Sequence, residues 1–368
     1  MKVLIVAGGT GGHILPALVL AREIKTRNVG QVLFVISSRK QDRDIIVGKG
    51  IDFTILQVTS LQSKNIFAGL NFLARLFIGT IESAFVLLKF KPDAVVGFGG
   101  YVSGPITLLA SLSGIKTIIH EQNAYPGKAN RILAKFVNKI AISFPEAKNY
   151  LKGFESKIVF SGNPLREGLK RDETKRQENI FNVLVIGGSQ GAHKLNVIIP
   201  EAVSLMQASQ KNAMSLTHIA GKNDKEDVEK AYEKIGLNYR VFSFTENMAR
   251  LYNECDFAIS RAGAMTVSEL LALAIPAILV PYPYAEGHQR LNAMVLEKIG
   301  SGVLMEEKNL TPCDMRDAIL KLMDRNVLKN MSGLAENIEK PDACKILINE
   351  VITYGTKPRP LFTKGGTK

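Results

Sequence analysis

A short apolar strand that runs into a glycine-rich turn occurs twice in this chain, about half a chain apart, and a helical pattern follows each copy. The first copy reads Val3-Leu4-Ile5-Val6-Ala7 and then Gly8-Gly9-Thr10-Gly11-Gly12-His13. The second reads Val183-Leu184-Val185-Ile186 and then Gly187-Gly188-Ser189-Gln190-Gly191-Ala192. Glycines in such a turn permit positive φ and let the backbone approach a ligand. The helix that follows points its free N–H groups and the positive end of its dipole at any anion. Each half could therefore hold a phosphate. Neither copy has the spacing of a dinucleotide fingerprint, and neither ends in the Lys-Ser/Thr of a P-loop. One copy alone would be a tight strand-to-helix turn; two copies imply a duplicated architecture.

At 368 residues the chain exceeds the usual size of one hydrophobic core, so two domains of roughly 150 to 180 residues are expected. Apolar strands alternate with helical patterns at Val32–Ile36, Ala94–Phe98, Thr117–His120, Lys139–Ser143, Asn182–Ile186, Phe257–Ser260 and Ala277–Val280. That alternation predicts an α/β fold of two Rossmann-like parallel-sheet domains facing each other across a cleft, with ligands at the carboxyl ends of the strands. Polar residues replace the apolar rhythm near Ser161-Gly162-Asn163-Pro164 and from Lys170 to Asn179, which places the linker there. Cys255, Cys313 and Cys344 lack the spacing of a zinc site or a disulfide framework, so a reducing compartment is expected. Met1-Lys2 leads directly into a strand without a signal-peptide pattern, and the expectation is a chain that stays in the cytoplasm.

The formal charge of +13 points to anionic partners: phosphorylated small molecules, the negative face of a membrane, or nucleic acid. Nucleic acid ranks last, because no binding module and no interleaving of aromatic with basic residues is present. From Phe67 to Pro92 the chain is rich in Leu, Ile and Phe but is interrupted by Arg75, Gly79, Glu82 and Lys89, short of the run of about 20 apolar residues a spanning helix needs. Two readings compete for it: buried crossover helices, or a surface patch flanked by Arg75, Lys89 and Lys91 that rests among anionic headgroups. Composition alone favours the buried helices. The tail from Thr356 to Lys368 is basic and rich in Gly and Pro, and is expected to be loosely held.

In the second half, Ser260-Arg261-Ala262-Gly263-Ala264-Met265-Thr266-Val267-Ser268-Glu269 follows a strand and opens a helix. N–H groups around Ala264 to Thr266 can meet a diphosphate, and Glu269, one turn on, can accept from a ribose diol. The competing reading is an ordinary cap, since Thr266 and Glu269 have capping-box spacing. Farther on, His288, Gln289 and Asn292 lie close together after a polar loop and could read sugar hydroxyls; a solvated loop is the alternative. For proton transfer, His13 at the first glycine turn and His120 beside Glu121 both stay candidates, each with a purely structural alternative.

Taken in order, GGTGGHI at Gly8 to Ile14, GGYVSGP at Gly99 to Pro105, HEQNA at His120 to Ala124, GGSQGA at Gly187 to Ala192 and SRAGAMTVSE at Ser260 to Glu269 resemble the MurG family. These are bacterial N-acetylglucosaminyltransferases that convert lipid I to lipid II in peptidoglycan synthesis. The resemblance runs over most of the chain and thins beyond about Asn292. It implies a GT-B glycosyltransferase: an acceptor-binding, membrane-associating domain over 1–163, a UDP-GlcNAc domain over 164–340, and a segment 341–368 whose helix returns to the first domain. The implied enzyme is a UDP-GlcNAc-dependent hexosyltransferase. It moves the sugar to the 4-hydroxyl of the MurNAc-pentapeptide of undecaprenyl-diphosphate lipid I, with inversion.

The same resemblance implies site residues. On the donor side they are Thr10, Gly11, Gly12, Asn123, Arg166, Ser189, Thr245, Ala264, Met265, Thr266, Glu269, His288 and Gln289. On the acceptor side they are Gly9, Thr10, His13, Gly99, Gly100 and Tyr101. His13 is the favoured base, with His120 and Glu121 in reserve. Family members often carry Gln-Gln where this chain has His288-Gln289, so the atom His288 reads is open. The family is peripheral, which gives weight to the segment Phe67–Phe90 as a patch on the cytoplasmic face of the cell membrane. Implied partners are UDP-GlcNAc, lipid I, the anionic inner-membrane surface and proteins of cell-wall synthesis and division; no cofactor, no metal and no nucleic acid is expected. Two rivals stay open: a related transferase with another acceptor, and a nucleotide-sugar-binding protein without turnover.

Overall fold

The computed structural model describes residues 1–58, 66–169, 171, 179–188, 191–284 and 287–353, with 66–73 described by their backbone. The expectations for Ser189, for the linker stretch 172–178 and for the tail from 354 on lie outside the described residues, as do the side chains of Phe67, Leu70, Phe72 and Leu73. Two compact units are present: Met1–Arg166 together with the segment that begins at Pro341, and Glu167–Lys340.

The first unit is built on a parallel sheet of β1 (Lys2–Val6), β2 (Gln31–Ser37), β3 (Phe53–Leu56), β4 (Ala94–Gly97), β5 (Lys116–Glu121), β6 (Lys139–Ile142) and β7 (Ile158–Phe160), in the order β3-β2-β1-β4-β5-β6-β7. The second repeats the plan with β8 (Phe181–Ile186), β9 (Met214–Ile219), β10 (Asn238–Phe242), β11 (Phe257–Ser260), β12 (Ala277–Leu279) and β13 (Gly302–Leu304), in the order β10-β9-β8-β11-β12-β13. Parallel strands need helical crossovers, which cover both faces of a sheet, so their strands are apolar on both sides. Along β1 the alternation is visible: Val3 and Ile5 pack with Ala17, Leu20, Leu347 and Val351 on one face, while Leu4 and Val6 pack with Leu87, Val102 and Ile106 on the other. Leu347 and Val351 belong to the helix Ala343–Thr353, so the end of the described chain is part of the first unit's core.

Both sheets reverse their winding at one place. β1 pairs with β2 on one side and β4 on the other, and β8 pairs with β9 and β11. At such a reversal neighbouring crossovers leave on opposite faces, and a crevice opens beyond the carboxyl ends of the two strands. In the first unit the Gly8 turn follows β1 and the Gly99-Gly100 turn follows β4; in the second the Gly187-Gly188 turn follows β8 and Arg261-Ala262-Gly263 follows β11. The glycine motifs thus converge in pairs at the two crevices.

Over residues 74–92 the expectation of buried crossover helices does not hold. One helix, Ile66–Phe90, occupies most of this stretch, and Phe77, Ile78, Ile81, Phe85 and Leu88 stand exposed, Phe77 and Phe85 each at 68%. Their spacing puts them on one helix face, while Ser83 and Leu87 face the sheet. Among the described residues no helix is long and apolar enough to cross a membrane.

Candidate active site

In the first unit the two turns at the crevice touch each other. Gly100, at φ +78°, is packed so closely on the first turn that a Cβ there would fall on the Gly8 carbonyl. The His13 ring lies beside Gly99, with Nε2 3.3 Å from where a Gly99 Cβ would be. The structure therefore brings Gly9, Thr10, His13, Gly99 and Gly100 together, and exposed Tyr101 follows them directly in the chain. Thr10 precedes the helix Gly11–Thr26, which opens on Gly11 and Gly12 without a side-chain cap.

The hydrogen bonds assign the protonation of His13. Its Nδ1 is 3.2 Å from the Gly8 carbonyl and 3.2 Å from Thr10 Oγ1. A carbonyl only accepts, so Nδ1 carries the proton of the neutral ring and Nε2 carries the lone pair. Not every N–H of the first turn is left for an anion. That of Gly9 donates to the Asp42 carboxylate at 2.8 Å.

His120 and Glu121 are corrected as reserve bases. His120 is fully buried in β5; its Nε2 donates to the Gly162 carbonyl at 3.0 Å and its Nδ1 accepts from Gln122 Nε2 at 2.9 Å. Both ring nitrogens are engaged, and burial pushes the imidazole down to about 4. Glu121, 2% exposed, accepts at Oε1 from the N–H and side-chain amide of Asn123 (2.9 and 3.1 Å) and at Oε2 from Gly127 N–H and Asn130 Nδ2 (2.9 and 2.8 Å). Four donors fill the carboxylate, which organises the loop around Asn123 and does not receive a substrate proton. Asn123 and Arg166, both half-buried, belong to this first unit.

In the second unit the helix Ala264–Ala272 begins at the crevice with Gly263 as its N-cap and no side-chain cap. The capping-box reading falls: Thr266 is the third helical residue and Glu269 the sixth, too far in to cap. Glu269 is 2% exposed, and its Oε2 accepts from the Tyr252 hydroxyl at 2.8 Å, so a buried tyrosine sets the carboxylate's orientation. The loop after β12 is tied back by Gln289 Oε1, which accepts from Tyr282 N–H at 2.9 Å. His288 opens the helix His288–Ile299 beside it. Thr245 Oγ1 accepts from Asn247 N–H at 3.1 Å in a tight turn before the helix Met248–Glu254.

Asn292 is not a sugar reader: it is fully buried and donates to the Ala262 carbonyl at 3.1 Å, holding the turn after β11. Arg261 holds the same turn from the other side. Its Nη1 donates to the Val280 carbonyl at 3.1 Å, pairs with Glu307, and the guanidinium lies over the Tyr282 ring. Sequence reading did not single out Tyr252, Arg261 or Asp42 for these roles. Only the SRAGA string carried a signal, for Arg261.

Two glycine-turn crevices on two parallel sheets of matching winding define a two-domain α/β protein of the GT-B fold class. The glycosyltransferase family 28 N-terminal domain matches residues 3–142 and the family 28 C-terminal domain matches 182–345. A protein of Geobacter sulfurreducens named UDP-N-acetylglucosamine--N-acetylmuramyl-(pentapeptide) pyrophosphoryl-undecaprenol N-acetylglucosamine transferase is 36% identical over 97% of this chain and all of its own length. One of the same name from Halothermothrix orenii is 38% identical over 95% of this chain and 98% of its own. The crystal structure of Acinetobacter baumannii MurG superposes with a TM-score of 0.79 at 28% identity, over 96% of this chain and 99% of that one. The chain belongs to the MurG family of N-acetylglucosamine transferases, within glycosyltransferase family 28. A UDP-GlcNAc 2-epimerase from Neisseria meningitidis shares the fold at a TM-score of 0.67 and 18% identity, over 96% of this chain and all of that one.

Proposed function

We propose that this protein transfers N-acetylglucosamine from UDP-GlcNAc to the 4-hydroxyl of the MurNAc-pentapeptide of undecaprenyl-diphosphate lipid I, with inversion, giving lipid II. The observation that carries the reading is the match to named transferases along their whole length. In one in-line displacement the acceptor oxygen bonds to the anomeric carbon as the bond to UDP breaks. His13 Nε2 takes the hydroxyl proton, and the leaving diphosphate gathers negative charge. The uncapped N–H groups at Ala264, Met265 and Thr266 stabilise that charge, Glu269 holds the ribose, and His288 and Gln289 read the sugar. Asn123, Arg166, Ser189, Thr245 and the Thr10-Gly11-Gly12 turn complete the donor set, with Gly9, Gly99, Gly100 and Tyr101 on the acceptor side.

We further propose that the exposed face of the helix Ile66–Phe90 rests on the cytoplasmic leaflet, where a lipid acceptor would lie. Support comes from five exposed apolar side chains on one face, with Arg75, Lys89 and Lys91 at its ends. Proteins of wall synthesis and division are the candidate partners at that surface.

The test is UDP release from UDP-GlcNAc with and without a short-chain lipid I analogue, for the wild type, Glu269→Ala and His13→Ala. Expected is acceptor-dependent release that collapses in both variants, with UDP affinity kept in His13→Ala. Release without acceptor dependence, or UDP binding without release, overturns the acceptor assignment; near-normal turnover of His13→Ala removes His13 as the base.

A further inference from the structure

We infer that Asp42 is the positioning residue of His13, acting on it through a single peptide group. The inference rests on the reading of His13 as the base. Asp42 lies in the first turn of the helix Lys40–Ile46 and is 2% exposed. A carboxylate so buried needs fixed donors. Its Oδ2 accepts from Gly9 N–H at 2.8 Å and from Ser37 Oγ at 2.5 Å. The Gly9 N–H and the Gly8 carbonyl are the two ends of one peptide plane, and that carbonyl is the acceptor for His13 Nδ1. The order is therefore carboxylate, peptide N–H, peptide C=O, imidazole Nδ1–H.

Each link of this chain polarises the next. A negative oxygen on the N–H makes the far carbonyl a stronger acceptor, which favours the tautomer with its lone pair on Nε2 and stabilises the imidazolium formed when Nε2 takes a proton. The arrangement has the logic of a base held by an orienting carboxylate, with a peptide bond set between the two.

Neighbours hold the turn and the carboxylate's other donor. Arg39 Nη1 donates to the Gly9 carbonyl at 2.5 Å, and its backbone N–H donates to Ser37 Oγ at 3.4 Å. A Cβ at Gly8 would stand 2.9 Å from Asp42 Oδ2, so a side chain there would push the carboxylate from its place. Asp42 itself sits 29 residues beyond His13 on another helix and touches no substrate in this scheme, so it positions and does not transfer the proton.

The test uses the full-length protein. First, 15N-detected spectra of its five histidines, with His13 identified by its loss in His13→Ala, read the His13 tautomer directly. Nδ1–H is expected in the wild type, and Nε2–H overturns the inference without any change at Asp42. Second, turnover is measured for Asp42→Asn, which keeps an acceptor oxygen but loses the charge, and for Asp42→Ala, which loses both. Expected are losses in kcat of about tenfold and about a hundredfold, within the range of a misplaced general base, with the KM for UDP-GlcNAc held within about twofold. Asp42→Ala is expected to add nothing once His13→Ala is present, because both act in one unit. Turnover of Asp42→Asn within twofold of wild type, or Asp42 losses that multiply those of His13→Ala, overturns the inference while the base assignment stands. Near-normal turnover of His13→Ala instead removes the base assignment itself. If Asp42→Ala does not fold, the near-isosteric Asp42→Asn and the wild-type tautomer decide the question.

Discussion

Adding one carbon at Gly100 tests how tightly the two turns of the first unit are locked. Gly100 has φ +78°, a region in which an L-residue is strained by roughly 1–2 kcal/mol. Its new Cβ would also land on the Gly8 carbonyl, which is backbone and cannot rotate away. Forcing that much extra volume into a packed contact costs about 1–3 kcal/mol more. Gly9 supplies the control, because it has φ +93° but nothing within 4 Å of the added carbon. Gly100→Ala is therefore expected to lose about 2–5 kcal/mol of stability and Gly9→Ala about 1–2 kcal/mol.

The two substitutions also separate in chemistry. The displaced Gly8 carbonyl is the acceptor for His13 Nδ1, so Gly100→Ala is expected to lower kcat by about tenfold or more through misplacement of His13, the proposed base. The assay is urea unfolding followed by far-UV circular dichroism, each transition fitted separately because two units need not unfold together, with UDP release measured on the folded proteins. If Gly100→Ala matches Gly9→Ala in midpoint and keeps wild-type turnover, the close approach of the turns does not hold the site, and the reasoning fails.

Acid is expected to destabilise the fold through two buried imidazoles. Burial holds His120 at about 4 and His218 at about 3, below the ordinary 6.5, so below pH 6.5 the unfolded chain binds protons the folded one refuses. Stability then falls with pH, by about 2 kcal/mol per histidine at pH 5; His218→Gln is expected to flatten the slope of unfolding free energy between pH 6.5 and 5, and an unchanged slope contradicts it. Tyr252→Phe removes the donor that orients Glu269 and is expected to weaken UDP binding about tenfold in calorimetry, kcat being affected less; unaltered affinity places that carboxylate outside the donor site. Phe77→Ser with Phe85→Ser is expected to reduce binding to phosphatidylglycerol vesicles by at least tenfold, since each ring contributes about 1.5–3 kcal/mol when buried, and undiminished binding removes the membrane role of that helix.

Strand-turn-helix order is written locally, and so it was legible. Both glycine turns, the strands that precede them and the helix start at Ala264 follow from neighbours within about ten residues, because apolar runs and glycine turns depend on adjacent chain. The placement of residues within those motifs was equally accessible, as with His13 beside Gly8 and the uncapped helix start at Ala264-Met265-Thr266. Local pattern also misled. Thr266 and Glu269 had capping-box spacing, yet the helix had already begun after Gly263. The helix Ile66–Phe90 was apolar enough to read as buried, yet from residue 74 on one of its faces stands exposed.

Sheet order decided the rest. His120 became unreachable because β5 lies between β4 and β6 with helices above and below, and its ring then found Gly162, 42 residues on. Asp42 reached Gly9 across 33 residues, because β1 pairs with β2 in parallel and the helix after β2 begins beside the turn after β1. Tyr252 reached Glu269 because β11 joins the helices on either side of it, bringing together groups 17 residues apart. A side chain's type limits the bonds it can make, and that much is in the sequence. Whether it meets water, a carbonyl or a carboxylate depends on which strands pair, and pairing is a property of the assembled sheet.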